Sequence, residues 1–187
     1  MALRFDENRK IAAVVLVVCI LLSLFAFGGG ALARERKKVL KVFNDGTDAT
    51  LSVRHSMDAY LDSAAECAQI MAGEASIVLG DTQLTGDVSD ASVDLAKDSS
   101  GIDARYEVYM KLKADVDKLE GQVRLATDEA GRRQFKLAYD DFWGYDDMIG
   151  HDDYPKYAKA YNELVSGFPG GAISGIMGLG ALSTFGG

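Results

Sequence analysis

The chain is poor in the residues that interrupt or cross-link a fold: of 187 residues, two are proline, two cysteine, two histidine and one tryptophan. With proline only at 155 and 169, every other stretch is free to run as long helix. Cys19 and Cys67 stand in segments of opposite character, so no disulfide framework exists, and bulky Val18 ahead of Cys19 argues against lipid attachment there. His55 and His151 belong to neither an E-x-x-H nor an H-E-x-x-H pattern, which leaves di-iron bundles and zincins without ligands. No G-x-S-x-G elbow and no G-K-[ST] phosphate loop occurs. Period-two alternation and hairpin signals are missing as well, which excludes a β architecture.

Charge is also missing from Ile11 to Phe27, IAAVVLVVCILLSLFAF, where no amide, proline or glycine occurs either. At about 1.5 Å per residue this run makes roughly 26 Å of helix, and continuing through Gly28 to Ala33 exceeds the ~30 Å hydrocarbon layer. It is long and apolar enough to cross a bilayer. Arg4, Arg9 and Lys10 precede it, and Arg34, Arg36, Lys37, Lys38 and Lys41 follow. A secretory signal with Ala31-Leu32-Ala33 as cleavage site competes with an anchor. The length of the run and the basic cluster after it favour an uncleaved single-pass anchor. The positive-inside count mildly favours a cytoplasmic body.

Residues 1–41 carry 8 basic against 3 acidic side chains, which leaves 12 against 25 for the remainder. So acidic a body excludes sequence-independent nucleic-acid binding, while the basic collar suits anionic lipid headgroups. The expected partners are therefore the lipid bilayer and an unidentified membrane or membrane-proximal protein, with at most weak homo-oligomerisation and no nucleic acid.

Helical periodicity organises the body. Val53, Met57, Tyr60, Ala64, Cys67, Met71, Ala75 and Val78 draw one stripe from Thr50 to about Gly80. Asp81 to Gly101 is polar and rich in small residues, enough for a short surface helix at best. A second stripe follows at Ile102, Tyr106, Tyr109, Leu112, Val116, Leu119, Val123 and Ala126, with Lys111, Asp115, Lys118 and Arg124 on the wet face. Thr127-Asp128-Glu129 suits a helix start, and the next stripe is Phe135, Ala138, Phe142, Tyr145 and Ile149. A last helix from about Tyr154 presents Tyr157, Tyr161, Leu164 and Phe168, with Phe168 as its final apolar anchor and Pro169 as its stop. The fold class is therefore all-α, one amino-terminal membrane helix followed by an antiparallel bundle of three to four long helices. The division is a short tail 1–10, an anchor 11–30, a basic collar and linker 31–49, a bundle 50–169, and a glycine-rich apolar tail 170–187. That tail is expected to dock on the bundle or to rest at the lipid interface.

Tyr161-Asn162, then Phe168-Pro169, then a hydrophobic glycine-containing tail ending in Phe185 resemble the closing Y-N-x5-F-P motif of the LemA family. Ile149-Gly150-His151-Asp152 followed by Tyr154 is similar to a shorter, divergent LemA-like branch. The resemblance covers about 40 residues and the overall layout. It implies a bacterial membrane protein with one amino-terminal span, a helical-bundle body and no established enzymatic activity. One departure is plain: the family's L-I-P-N-L-V segment has no counterpart in Ala59 to Ala72, AYLDSAAECAQIMA.

Asp147 and His151, four apart, with Asp146, Asp152 and Asp153 nearby, are the one arrangement with the chemistry for a hard cation. Together with Asp140 and Asp141 they read instead as a solvated acidic face. Trp143, Tyr154, Tyr157 and Tyr161 read as core aromatics rather than a ligand cage. No catalytic, cofactor-binding or metal-ligating residue is assigned, and no cofactor is expected. The function expected is a non-enzymatic scaffold or protein-interaction module at the bacterial membrane; the alternative is a membrane-anchored ligand-sensing bundle.

Overall fold

The computed structural model describes residues 2–47, 55–97 and 101–185, and among these there are seven helices and no strand. The expected helix start at Thr50 and the stripe residue Val53 lie outside the described residues.

Helix α1, Ala2–Asp45, runs without a break from the apolar segment through the basic collar. The stretch from Ile11 is apolar enough to cross a membrane, and none of its most apolar window is buried by the rest of the chain. Farther along, Leu32, Val39 and Phe43 enter the core of the body. The segment expected to be a basic collar and linker is thus a structural member of the body. Gly46, at φ 75°, ends the helix, and a Cβ there would stand 2.1 Å from the His55 carbonyl oxygen.

Helix α2, Met57–Leu79, starts on Ser56, whose hydroxyl accepts from the Ala59 N–H. Its buried face holds five alanines, Ala64, Ala65, Ala68, Ala72 and Ala75, beside Met57, Leu61 and Met71. Those small side chains let α3, α4 and α5 all come against it. Burial of each large stripe residue stabilises the body by about 1.5 to 3 kcal/mol.

Helix α3, Gln83–Leu95, corrects the expectation of a short surface helix. A reciprocal cap between Thr82 and Thr85 starts it, and Thr85, Val88, Ala91, Ser92 and Leu95 are buried between α2 and α4. Its small and hydroxyl residues carry little hydropathy, but they fit a close approach.

Helix α4, Ile102–Ala126, buries the predicted stripe from Tyr109 to Val123, while Ala126 is exposed. The wet-face assignment fails at one position. Asp115 is buried, bonded to Lys118 at 2.8 Å, and its second oxygen has no protein partner. Helix α5, Arg133–His151, buries Phe135, Ala138, Phe142 and Ile149 as predicted. It starts later than Thr127-Asp128-Glu129, because Asp128 closes a separate turn by accepting from the Gly131 N–H.

Helix α6, Tyr154–Ser166, has proline in its first turn and buries Tyr154, Ala158, Tyr161 and Val165. The predicted face was Tyr157, Tyr161, Leu164 and Phe168. Of these only Tyr161 is buried, and Phe168 is 94% exposed. Helix α7, Gly170–Met177, then returns alongside α1 and α6.

Candidate functional site

The carboxylates that sequence grouped together are committed to separate tasks. Asp146 accepts from the Tyr109 hydroxyl and the Lys113 ammonium, both at 2.5 Å, and so ties α4 to α5. The Lys113 ammonium also lies over the Tyr109 and Trp143 rings. Asp140 pairs with Lys136 one turn away, and Asp152 caps the Tyr154 N–H at 2.7 Å. Asp153 accepts from Thr47 at 3.3 Å. His151 stays at the surface with Asp147, its Nδ1 within 2.8 Å of the Asp147 carbonyl. Among the described residues no three His, Cys, Asp or Glu side chains converge as a metal site. His55, just before α2, lies beside the Tyr60 hydroxyl at 3.1 Å.

Potential nucleophiles are held in their neutral forms. Burial, with Asp141 and Glu66 adding to it, pushes the Cys67 thiol up to about 11. Burial and then the bond to Asp146 push the Tyr109 phenol far above its ordinary value, and burial does the same to Tyr154. The Asp152 carboxyl is also raised, chiefly by burial and further by Asp153, against the opposing bond from Tyr154.

What the structure assembles instead is a clasp on the carboxyl-terminal segment. The Asn162 amide pairs with the backbone of Leu182 in both directions, donating to its carbonyl and accepting from its N–H at 2.8 Å each. Tyr161 donates to the Leu179 carbonyl at 3.3 Å and Tyr154 to the Ser183 carbonyl at 2.9 Å. Arg36 of α1 donates to the Gly180 carbonyl at 2.9 Å, and one oxygen of Asp103 on α4 receives both the N–H and the hydroxyl of Ser183. The segment has no secondary structure of its own, so these side chains supply the partners that its backbone lacks. Beneath it Phe185 is fully buried among Phe43, Tyr106, Tyr109 and Tyr154, edge-on to Tyr106 at 5.1 Å. Of the two outcomes expected for the tail, residues 179–185 take docking.

A second buried polar arrangement stands next to this one. Arg105, 3% exposed, joins Asp58 and, at 2.8 Å, Asp62 on α2, with its guanidinium over the Phe43 ring. Sequence reasoning passed over Arg105 and Asp103. The signal for Arg105 was its place in the stripe, three residues after Ile102 and four before Tyr109, where a charge requires a buried partner.

No family model, curated protein or solved structure matches the chain.

Proposed function

We propose that this is a membrane-anchored helical-bundle protein of the LemA type, non-enzymatic, which holds an acidic interaction surface at a fixed position against the bacterial membrane. The observation that carries this reading is the continuity of α1: one helix supplies the exposed apolar run and, through Leu32, Val39 and Phe43, part of the core. The body is mounted on its anchor without a flexible joint, as suits a scaffold. Burial of Leu32 also favours an uncleaved anchor, since cleavage after Ala33 would take this side chain out of the core. Tyr161 and Asn162, the residues that carry the LemA resemblance, both grip the tail, a role that would account for their spacing.

The surface offered to a partner lies on α5, where Leu137 and Met148 are exposed among Asp140, Asp141 and Asp147. Photo-crosslinkers placed at 137, 140 and 148 in intact membranes should give one discrete protein adduct, and the same groups at Lys111 should not. A protein released by carbonate washing, or one processed to begin at Arg34, would remove the anchor. Absence of any adduct would remove the scaffold.

The sensing alternative rests on a cleft of about 400 Å³ between α2 and α3, lined by Gln69, Gly73, Ser76, Thr82, Thr85 and Ser89. A small molecule that raises the melting midpoint by several degrees would favour it.

A further inference from the structure

After Glu163 no charged residue follows in the chain, and this uncharged stretch divides into the clasped tail and a preceding helical elbow. The elbow is the turn Gly167–Pro169 between α6 and α7. At the turn and on the helix ends that flank it apolar side chains are exposed: Phe168 is 94% exposed, Ile176 71% and Leu164 50%. So much exposed apolar surface on adjacent turns needs a covering.

The position of the elbow along α1 identifies that covering. Pro169 and Ile173 border a cleft of about 450 Å³ whose other walls are Cys19, Ile20, Ser23, Phe27 and Gly28 of the apolar run. Helix α7 lies directly on α1 at two glycines: a Cβ at Gly28 would come within 2.7 Å of the Ile173 side chain, and one at Gly29 within 2.1 Å of the Met177 sulfur. Small residues at a helix contact are how helices approach closely in lipid. From Phe27 to Arg34, the first cation of the collar, is seven residues, or about 10 Å of helix. Farther on, Gly180 is already level with Arg36. The chain thus descends along α6 below the collar, turns at Pro169 and climbs back along α7.

Much of the elbow's backbone is provided for within the chain, the N–H of Phe168 excepted. Gly171 donates to the Gly167 carbonyl and Ile173 to that of Pro169, while the buried Ser174 hydroxyl serves the Val165 and Gly171 carbonyls. Pro169 has no N–H to satisfy. Internal satisfaction of this kind is what hydrocarbon demands of a polypeptide.

We infer that the α6–α7 elbow is a second, re-entrant membrane element, inserted among lipid acyl chains beside the span and facing them with Phe168 and Ile176. The inference rests on the anchor reading above, and the test separates the two. The full chain is reconstituted in phosphatidylcholine bilayers with or without acyl-chain bromination, and tryptophan emission is compared. Trp143 of the parent gives the baseline, and one tryptophan is added in each variant, by Ile20→Trp, Phe168→Trp or Leu125→Trp, all at exposed positions. The added emission of the residue-168 variant should be lost to brominated lipid as fully as that of the residue-20 variant, while the residue-125 variant keeps its emission. Quenching at 20 with none at 168 overturns the re-entrant elbow and leaves the anchor standing. No quenching at 20 overturns the anchor and the elbow together.

Discussion

The elbow and the tail are adjacent, uncharged and similar in composition, yet Phe168 is almost wholly exposed and Phe185 wholly buried. Hydropathy does not separate them. What does is the supply of hydrogen-bond partners: the tail lacks regular structure and is drawn onto the bundle by Arg36, Asp103, Tyr154, Tyr161 and Asn162, whereas the elbow is helical on both sides and largely satisfies itself. An apolar segment that carries its own hydrogen bonds is free to face a solvent without water, and one that does not must dock where polar side chains wait for it.

The most severe test of this contrast removes the surface on which both segments lie. A chain beginning at Val42 loses Leu32 and Val39 from the core and the Arg36 bond to the tail. The sequence alone suggests that such a fragment is a sound, strongly helical body. With α1 a core member, its urea midpoint should instead fall below that of a chain beginning at Gly30 by the equivalent of about 3 to 6 kcal/mol. Equal midpoints would show that α1 is only a stalk.

Next in size is the pair of phenylalanines. Phe185→Ala should destabilise the full chain in micelles by about 3 to 5 kcal/mol, and Phe168→Ala by no more than about 0.5. The sequence-based expectation, with Phe168 as the final anchor of the last helix, put a loss of about 3 to 5 kcal/mol at that residue, so a loss of that size in denaturant melts of Phe168→Ala would restore it. Asn162→Asp should cost about 1 to 3 kcal/mol, because a carboxylate would meet the Leu182 carbonyl to which the amide now donates. Protease digestion of the variant should cut first within 179–185. Cutting first in another loop would detach the clasp from the tail's order.

The smallest effect is at the start of α6, the helix that positions both segments. Asp152 has a carboxyl raised above its unfolded value, so the stability it contributes is complete below about pH 3.9 and is lost as pH rises through the folded value. Asp152→Asn keeps an acceptor for the Tyr154 N–H and removes the half-buried charge. It should raise the melting midpoint slightly at pH 7 and leave it unchanged near pH 3, and a loss at pH 7 would mean that the charge itself is needed.

The apolar run of α1 and the stripes of α2, α4 and α5 were legible because long, strongly periodic segments have one way to hide. Helix α3 was not, since Thr85 and Ser92 are buried by close approach rather than by hydropathy. On α6 two adjacent apolar rows compete, and the row with Tyr154 and Ala158 wins because the Tyr154 hydroxyl and the Asn162 amide must reach the tail. The row with Leu164 and Phe168 then faces outward. Asp115 was read as a surface charge and Arg105 passed over because their positions in the α4 stripe were ignored.

The bond from Arg36 to Gly180 joins residues 144 positions apart, and the Phe43 ring meets that of Phe185. During synthesis α1 therefore emerges with a core face that meets α2 early but waits for α6, α7 and the tail, the last parts of the chain to be made. On the anchor reading, its apolar run is available to a membrane long before the body closes, which puts insertion first and closure last. Contacts of such long range are also the slow ones to form. On that reading, a ribosome stalled before residue 179 would hold a helix already in lipid beneath a bundle that still lacks Phe185 against Phe43.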